Sequence, residues 1–373
     1  MMAALLAAHA APPSRCPTCR GPVWSWATVP IFFHSSEPGG PRGGFTDLEL
    51  DTIARFPMVT IEKWQGADVR PYLWEEDAWL VAAAQVKRRS PNTTVVVWFD
   101  SLRIYTDNKT LNPDITPACT TGHLRASQFL ETHSSYLLKN TSGAPALDPW
   151  SGCHIIDHTN ARARAFWTEM CLDMTTSGVV DGCGADASWQ NGIDQDWGLS
   201  AETARAWDSG HRQMMRETTA ALGNGVLLGK FAWEVGDYVN GALHETCDAS
   251  NDTVTTLRNL TATAATLGRR LIYQCHGGCT IDELAAFLAG AGPYHYYGCG
   301  DWVGAGAHGN FSSHWMAGAF GRPLGAPLAD AAYAGGVWTR AFASGTAVSF
   351  DARTGRGAIR WADRFSGLVE STV

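Results

Sequence analysis

Charge is scarce in this chain of 373 residues: Asp, Glu, Lys and Arg together make up 17%, and the longest basic run is Lys87-Arg88-Arg89. The formal net charge is -8. A protein that grips phosphate backbones or anionic lipid needs a basic face, so nucleic acid and acidic membrane surfaces are excluded as main partners. No uninterrupted apolar stretch approaches the roughly 20 residues of a transmembrane helix, so none is expected. The chain also lacks a G-x-G-x-x-G dinucleotide loop, a Walker loop and a G-x-S-x-G nucleophile elbow. Redox, nucleotide and serine-esterase chemistry therefore have little to rest on. A single C-x-x-C, Cys16-Pro17-Thr18-Cys19, has no second pair and is read as disulfide-forming rather than as a zinc site. No cofactor and no metal are expected.

Tryptophan, by contrast, is abundant. There are 16, against about five for an average chain of this length. An indole offers a broad flat face and one N–H donor, a combination that suits stacking on sugar rings as well as core packing. Six N-x-[ST] sequons begin at Asn92, Asn108, Asn140, Asn251, Asn259 and Asn310, and there are ten cysteines. Sequons are used only in the secretory pathway, and an even set of cysteines suits an oxidising compartment. With the apolar start ending Ala8-His9-Ala10, which has a signal-like pattern without a basic leader, these features place the protein in the secretory lumen or outside the cell.

A short apolar run rich in β-formers, a polar loop and an amphipathic stretch recur along the chain. The runs are Val29–His34, Met58–Lys63, Thr94–Asp100, Cys153–Asp157, Gly178–Asp186, Val226–Glu234, Arg270–His276 and Gly292–Gly298. Between them lie helical candidates Thr46–Arg55, Glu75–Arg88, Ala161–Thr176, Ala201–Leu222, Val254–Leu267 and Ile281–Gly290. Alternating strands and helices build a parallel sheet, and eight units close it into a (β/α)8 TIM barrel. The expected organisation is a signal-like or unstructured segment over 1–24, the barrel over 25–320, and a C-terminal β extension over 321–373. The polar stretch Tyr105–Trp150 is read as an elaborated loop over the barrel mouth.

Barrel active sites form where strands end. The polar residues closing the runs are His34, Glu62, Asp100, Asp157, Asp186, Glu234, Gln274 with His276, and Tyr297 with Asp301. Acids end five consecutive runs. Any one could be a helix cap, but the series points to chemistry. Strands lie about 4.8 Å apart, so Asp186 and Glu234 at neighbouring ends fit the paired carboxylates of glycoside hydrolysis, one protonated and one ionised. Trp233 would raise the pKa of Glu234 by desolvation, and Asp100 is a third catalytic candidate. His34, Glu62, Trp64, Trp98, Trp233, Gln274, His276, Tyr297 and Asp301 are candidate substrate contacts. Asp181, at the start of its strand, is read as holding a neighbouring backbone or cation. Asp157 is read as a loop cap, and Asp194-Gln-Asp196 as a solvated pair.

Asp157-His-Thr-Asn160-Ala-Arg162, followed by Gly178-Val-Val-Asp181-Gly182-x-x-x-Asp186, resembles a pattern of hypothetical glycoside-hydrolase barrels related to endo-galactosaminidase-like enzymes. Ala161 stands where proline is usual. The closing segment Arg322-Pro-Leu-Gly325-Ala-Pro327 with Trp338-Thr-Arg340-x-Phe342-x-x-Gly345 is similar to the end of the same group. The resemblance spans roughly residues 29–362. It implies a barrel with a glycosidase-like site and matches Asp186 to the family's strand-end acid; Glu234 rests on geometry alone. The expected function is hydrolysis of a polysaccharide or glycan. The alternatives are a non-catalytic carbohydrate-binding barrel, or a metal-dependent hydrolase using His34, Asp100, His276 and Asp301.

Overall fold

The computed structural model describes residues 21–36, 41–63, 65–66, 75–104, 134–149, 151–188, 192, 196–230, 238–302 and 311–362. Eight parallel strands form one sheet. In chain order they are β1 (Phe33–Ser35), β2 (Met58–Ile61), β3 (Thr94–Asp100), β6 (Gly182–Asp186), β7 (Val226–Lys230), β8 (Gly241–His244), β9 (Ile272–Gly277) and β10 (His295–Cys299), and each pairs with the next. An isolated parallel bridge, Ile31 to Tyr297, closes the ring. There the Phe32 N–H donates to Tyr297 O at 3.0 Å, and the Tyr297 N–H donates to Pro30 O at 2.9 Å.

Helices α1 (Asp47–Ile53), α2 (Glu75–Arg89), α3 (Ala161–Thr176), α4 (Ala201–Leu222), α5 (Asn251–Leu267) and α6 (Ile281–Gly290) lie between the strands. Their starts are written locally. Thr46 and Glu49 form a capping box on α1, as do Thr280 and Glu283 on α6, while Asn160, Ser200 and Ser250 cap α3, α4 and α5. Each cap side chain satisfies a backbone N–H that the first helical turn leaves free.

The sequence reading placed one barrel strand wrongly. Cys153–Asp157 contributes only β5 (His154–Ile155), which pairs antiparallel with β4 (Arg103–Ile104) outside the ring. β3 pairs directly with β6 instead, with Trp98 opposite Gly184 and Asp100 opposite Asp186. The missing strand is β8, of only four residues. Ten residues separate it from β7, a shorter spacing than the dozen or so of a usual crossover, so the sequence offers no full strand–helix period to mark it. Gly241 opens β8 because a Cβ there would lie 1.9 Å from Ile272 O.

Side chains alternate between the faces of each strand. Phe32, Met58, Val96, Trp98, Val226, Leu228, Leu243, Ile272 and Tyr296 fill the lumen as one apolar cluster. Strand residues of the opposite parity, such as Phe33, Val59, Val97, Cys183, Leu227, Cys275 and Tyr297, belong to the larger core outside the barrel wall, with residues of the helices. β11 (Ala332–Ala334), β12 (Val337–Ala341), β13 (Ala347–Asp351) and β14 (Arg356–Arg360) form a separate antiparallel sheet. It packs on α5 and α6: Trp338 and Phe350 join Val254, Ala286 and Ala289, and Arg340 Nη1 donates to Leu288 O and Ala291 O.

Among the described residues, disulfides join Cys171 to Cys183, Cys247 to Cys275 and Cys279 to Cys299, and such bridges point to an oxidising, extracellular or secretory compartment. No described helix is long and apolar enough to cross a membrane.

The lumen has one position of extreme tightness. A Cβ on Gly184 would lie 1.4 Å from the Trp98 ring. Gly184→Ala should therefore destabilise the fold by about 2 kcal/mol or more, read as a lowered melting temperature in circular dichroism. Trp98→Leu in the same chain should recover part of the loss.

Candidate active site

Inward-facing positions that are apolar low in the barrel become polar at its C-terminal rim. Following the parity of Phe32, Met58, Leu228, Leu243 and Ile272 upward gives His34, Glu62, Lys230, Glu245 and His276. On β6 the same face reads Gly182, Gly184, Asp186. The barrel thus turns a repeating pattern into a ring of ionisable groups.

Those groups are linked by bonds of alternating sign. The His34 Nε2–H donates to Glu62 Oε2 at 2.9 Å, and Lys63 Nζ donates to Glu62 Oε1 at 2.8 Å. Lys63 Nζ also holds Asp186 Oδ2. Lys230 Nζ then bridges Asp186 Oδ1 at 2.9 Å and Glu245 Oε2 at 3.0 Å. The Ala187 N–H gives Asp186 Oδ1 a further bond at 2.8 Å.

Burial and charge act in opposite directions on these carboxyls. Burial alone would raise the pKa of Asp186, but Lys63 and Lys230 outweigh it and hold the group well below the carboxylate range. Glu62 is also lowered: burial opposes, and Lys63 and the His34 bond prevail. Glu245 is raised, because burial, Asp186 and Glu62 outweigh the single favourable neighbour, Lys230. The pKa values of two rim carboxyls are therefore displaced in opposite directions, that of Asp186 downward and that of Glu245 upward.

An aromatic wall stands beside this chain. Trp302 stacks on His276 with ring centroids 3.9 Å apart and meets the edge of His34 at 4.4 Å. One layer lower, Gln274 Nε2 donates across the lumen to Thr60 Oγ1 at 2.8 Å. Trp98 Nε1, Gln274 Oε1 and His276 Nε2 are buried with no hydrogen-bond partner among the described residues.

Behind Asp186 lies a buried support. Its backbone carbonyl accepts from the Ser101 N–H at 3.0 Å and from Ser101 Oγ at 2.6 Å. His211 Nε2 lies 2.9 Å from the same hydroxyl, and His158 Nε2 donates to Ser101 O at 2.6 Å. The two imidazoles stack at 4.7 Å. Burial pushes His158 down to about 4 and His211 well below its usual value, so both are neutral at pH 7.

The residues singled out from sequence therefore divide. His34, Glu62, Asp186 and His276 meet at the rim, and Trp98 and Gln274 lie just beneath. Asp100 turns aside: its Oδ1 accepts from the N–H groups of Leu102 and Arg103, and its Oδ2 accepts from Arg103 Nη1 at 3.1 Å. Tyr297 points through the wall toward Phe287 and Phe320. Asp301 is exposed. Trp64, Trp233 and Glu234 lie outside the described residues. Among the described residues no three His, Cys, Asp or Glu side chains are grouped as metal ligands. At the barrel's foot Asp181 accepts from Lys87 Nζ at 2.5 Å and from the Val95 N–H at 2.8 Å. Sequence reasoning missed Lys230, Glu245 and Trp302. The only signal for Glu245 was the parity of a strand too short to be noticed.

Hypothetical glycosyl hydrolase family 15 matches residues 87–346 of this sequence. The chain belongs to that family, and its chemistry is that of a glycosidase. Among solved structures it is similar to the cycloalternan-degrading enzyme of Trueperella pyogenes in complex with isomaltose. That match has 15% identity and a TM-score of 0.49, covering 75% of this chain and 44% of the other. It is also similar to the glycoside hydrolase domain of PelA from Pseudomonas aeruginosa, at 11% identity and a TM-score of 0.43 over 78% and 97% of the two chains. An alpha-galactosidase from Thermus thermophilus matches at 14% identity and a TM-score of 0.44 over 77% and 61%. No curated protein sequence matches the chain.

The carboxyl carbons should report this electrostatic division directly. In a 13C NMR titration, Asp186 is expected to stay ionised well below pH 4 and Glu245 to titrate above the ordinary glutamate value. Lys63→Met removes a cation that lowers Asp186, so its titration should move upward. An unmoved Asp186 signal would refute the Lys63 bridge.

Proposed function

We propose that this family member hydrolyses a polysaccharide or glycan with Asp186 and Glu245 as its two working carboxyls. The observation that carries the reading is their shared position around Lys230 with pKa values driven apart. Asp186, ionised and anchored from behind through its carbonyl, is placed to attack the anomeric carbon. Glu245, whose pKa is raised by burial and by its acidic neighbours, is placed to donate to the glycosidic oxygen and then to activate water. Both carboxylates touch one Nζ, so their facing oxygens are at most about 6 Å apart, nearer the spacing of retaining than of inverting enzymes. Trp302 on His276 offers a stacking face for a sugar ring, and the unpartnered polar atoms of Trp98, Gln274 and His276 suit its hydroxyls. Glu234, the acid chosen from sequence, is kept as a comparison.

A panel of polysaccharides and glycans incubated with the purified protein is the test. Wild type should release sugar, with the first-formed anomer retained by 1H NMR. Asp186→Asn should lose roughly 10³-fold or more, and Glu245→Gln about 10²–10⁴-fold, with the smaller loss on aryl glycosides whose leaving group needs little protonation. If Glu234→Gln abolishes turnover and Glu245→Gln does not, the acid belongs to Glu234. Binding without release by wild type would favour a lectin-like barrel.

The disulfides and six sequons support secretion as a glycoprotein. Asn92 and Asn259 are exposed. Enzymatic deglycosylation of protein secreted from a eukaryotic host should convert both to Asp in peptide mass spectra.

A further inference from the structure

Lys230 ends β7 on the lumen face, and two-carboxylate hydrolysis has no evident need for a cation at that point. Its Nζ lies 2.9 Å from Asp186 Oδ1 and 3.0 Å from Glu245 Oε2, so one ammonium occupies the hydrogen-bonding side of both oxygens. A retaining reaction needs the same space. The anomeric carbon must come against one carboxylate while the glycosidic oxygen comes against the other. Sugar and ammonium cannot both be there.

The electrostatics agree with temporary occupancy. The transition state is oxocarbenium-like, so a gap between two carboxylates suits a positive charge, and in the free protein Lys230 supplies it. Asp186 does not depend on Lys230 alone, because Lys63 separately holds its other oxygen. The lysine also has the means to leave: its stem is flexible, and its side chain keeps 16% exposure.

Resting on the assignment of Asp186 and Glu245 above, we propose that Lys230 is a displaceable counter-ion of the reaction. It bridges Asp186 and Glu245 in the free enzyme, and the substrate turns it out of the gap. Glu245 thereby becomes able to take from solvent the proton that it passes to the leaving oxygen.

The described charged groups that face Glu245 are Lys230 from β7, Asp186 from β6 and Glu62 beyond β2, and Lys63 faces Lys230 from the far side of Asp186. Of the groups acting on Glu245, Lys230 lowers its pKa and the two acids raise it. Withdrawal of Lys230 can therefore only move Glu245 upward, toward the donor form.

The pH dependence of kcat/KM reports the free enzyme, and that of kcat reports the complex. On the polysaccharide hydrolysed fastest in the panel, the alkaline limb of wild-type kcat should lie above that of kcat/KM by about one pH unit or more. In Lys230→Met the two limbs should coincide at the higher value. In the free variant, the Glu245 carboxyl carbon should titrate higher than in wild type, a reading that needs no turnover. Coincident limbs in wild type, or a Glu245 titration indifferent to Lys230→Met, would overturn the proposal. If Lys230→Met does not fold, Lys230→Arg serves: its fixed fork of donors should hold both carboxylates more firmly and widen the separation of the limbs. An unchanged separation counts against displacement. Full turnover by Asp186→Asn would instead overturn the carboxylate assignment itself. Loss of turnover in both carboxylate variants, with coincident wild-type limbs, would overturn only the role of Lys230.

Discussion

Among the described residues, two ammonium groups are held among three carboxylates at the mouth of the barrel, nearly out of water. Lys63 and Lys230 keep side-chain exposures of 10% and 16%, and Glu62 and Asp186 keep 5% and 6%. Ion pairs at this depth add little net stability, since desolvation consumes most of their Coulomb gain. Their value is electrostatic. Each charge is fixed by its neighbours of opposite sign, so the site presents a set pattern of potential before any substrate arrives. Asp186 is held by both Lys63 and Lys230, so its charge stays compensated when one of them is withdrawn, but only if the wall around it keeps the other in place.

The stiffness comes from three directions. Beneath the charges the lumen is filled by an apolar layer in which Trp98 lies flat against Gly184, directly below Asp186 on the same strand. Behind Asp186, Ser101 makes two bonds to its carbonyl, backed by the neutral His158–His211 stack. Beside Glu245 and His276, disulfides cross from Cys247 to Cys275 and from Cys279 to Cys299, tying the ends of β8, β9 and β10 to one another. A site whose members come from six strands needs supports of this kind, because a shift of about 1 Å at one member spoils the alignment of all.

Much of this was legible in the residues. The strand–helix alternation is a local, periodic signal, and seven of the eight barrel strands carry it. Asp186 stood out because its strand reads Gly-Cys-Gly-Ala-Asp after Asp181, with lumen positions reduced to glycine and an acid left at the end. β8 did not stand out. It is four residues long, opens with glycine and begins soon after β7, so Glu245 looked like any loop acid. Asp100 and Tyr297 failed differently. Both end or face a strand as expected, yet Asp100 is bound into the turn at Arg103, and Tyr297 sits on the opposite parity and faces the outer core.

The residues alone fixed the class of fold and pointed to Asp186 as an acid at the end of a barrel strand. These follow from short-range rules: side-chain periodicity, capping and turn chemistry act between residues a few positions apart. The nearness of Glu245 to Asp186, with Lys230 bonded to both, came only from the closed barrel. Pairing β6 to β7 to β8 brings positions 186, 230 and 245 within bonding distance of one ammonium, and separations of 15 to 59 residues leave no local pattern to announce it.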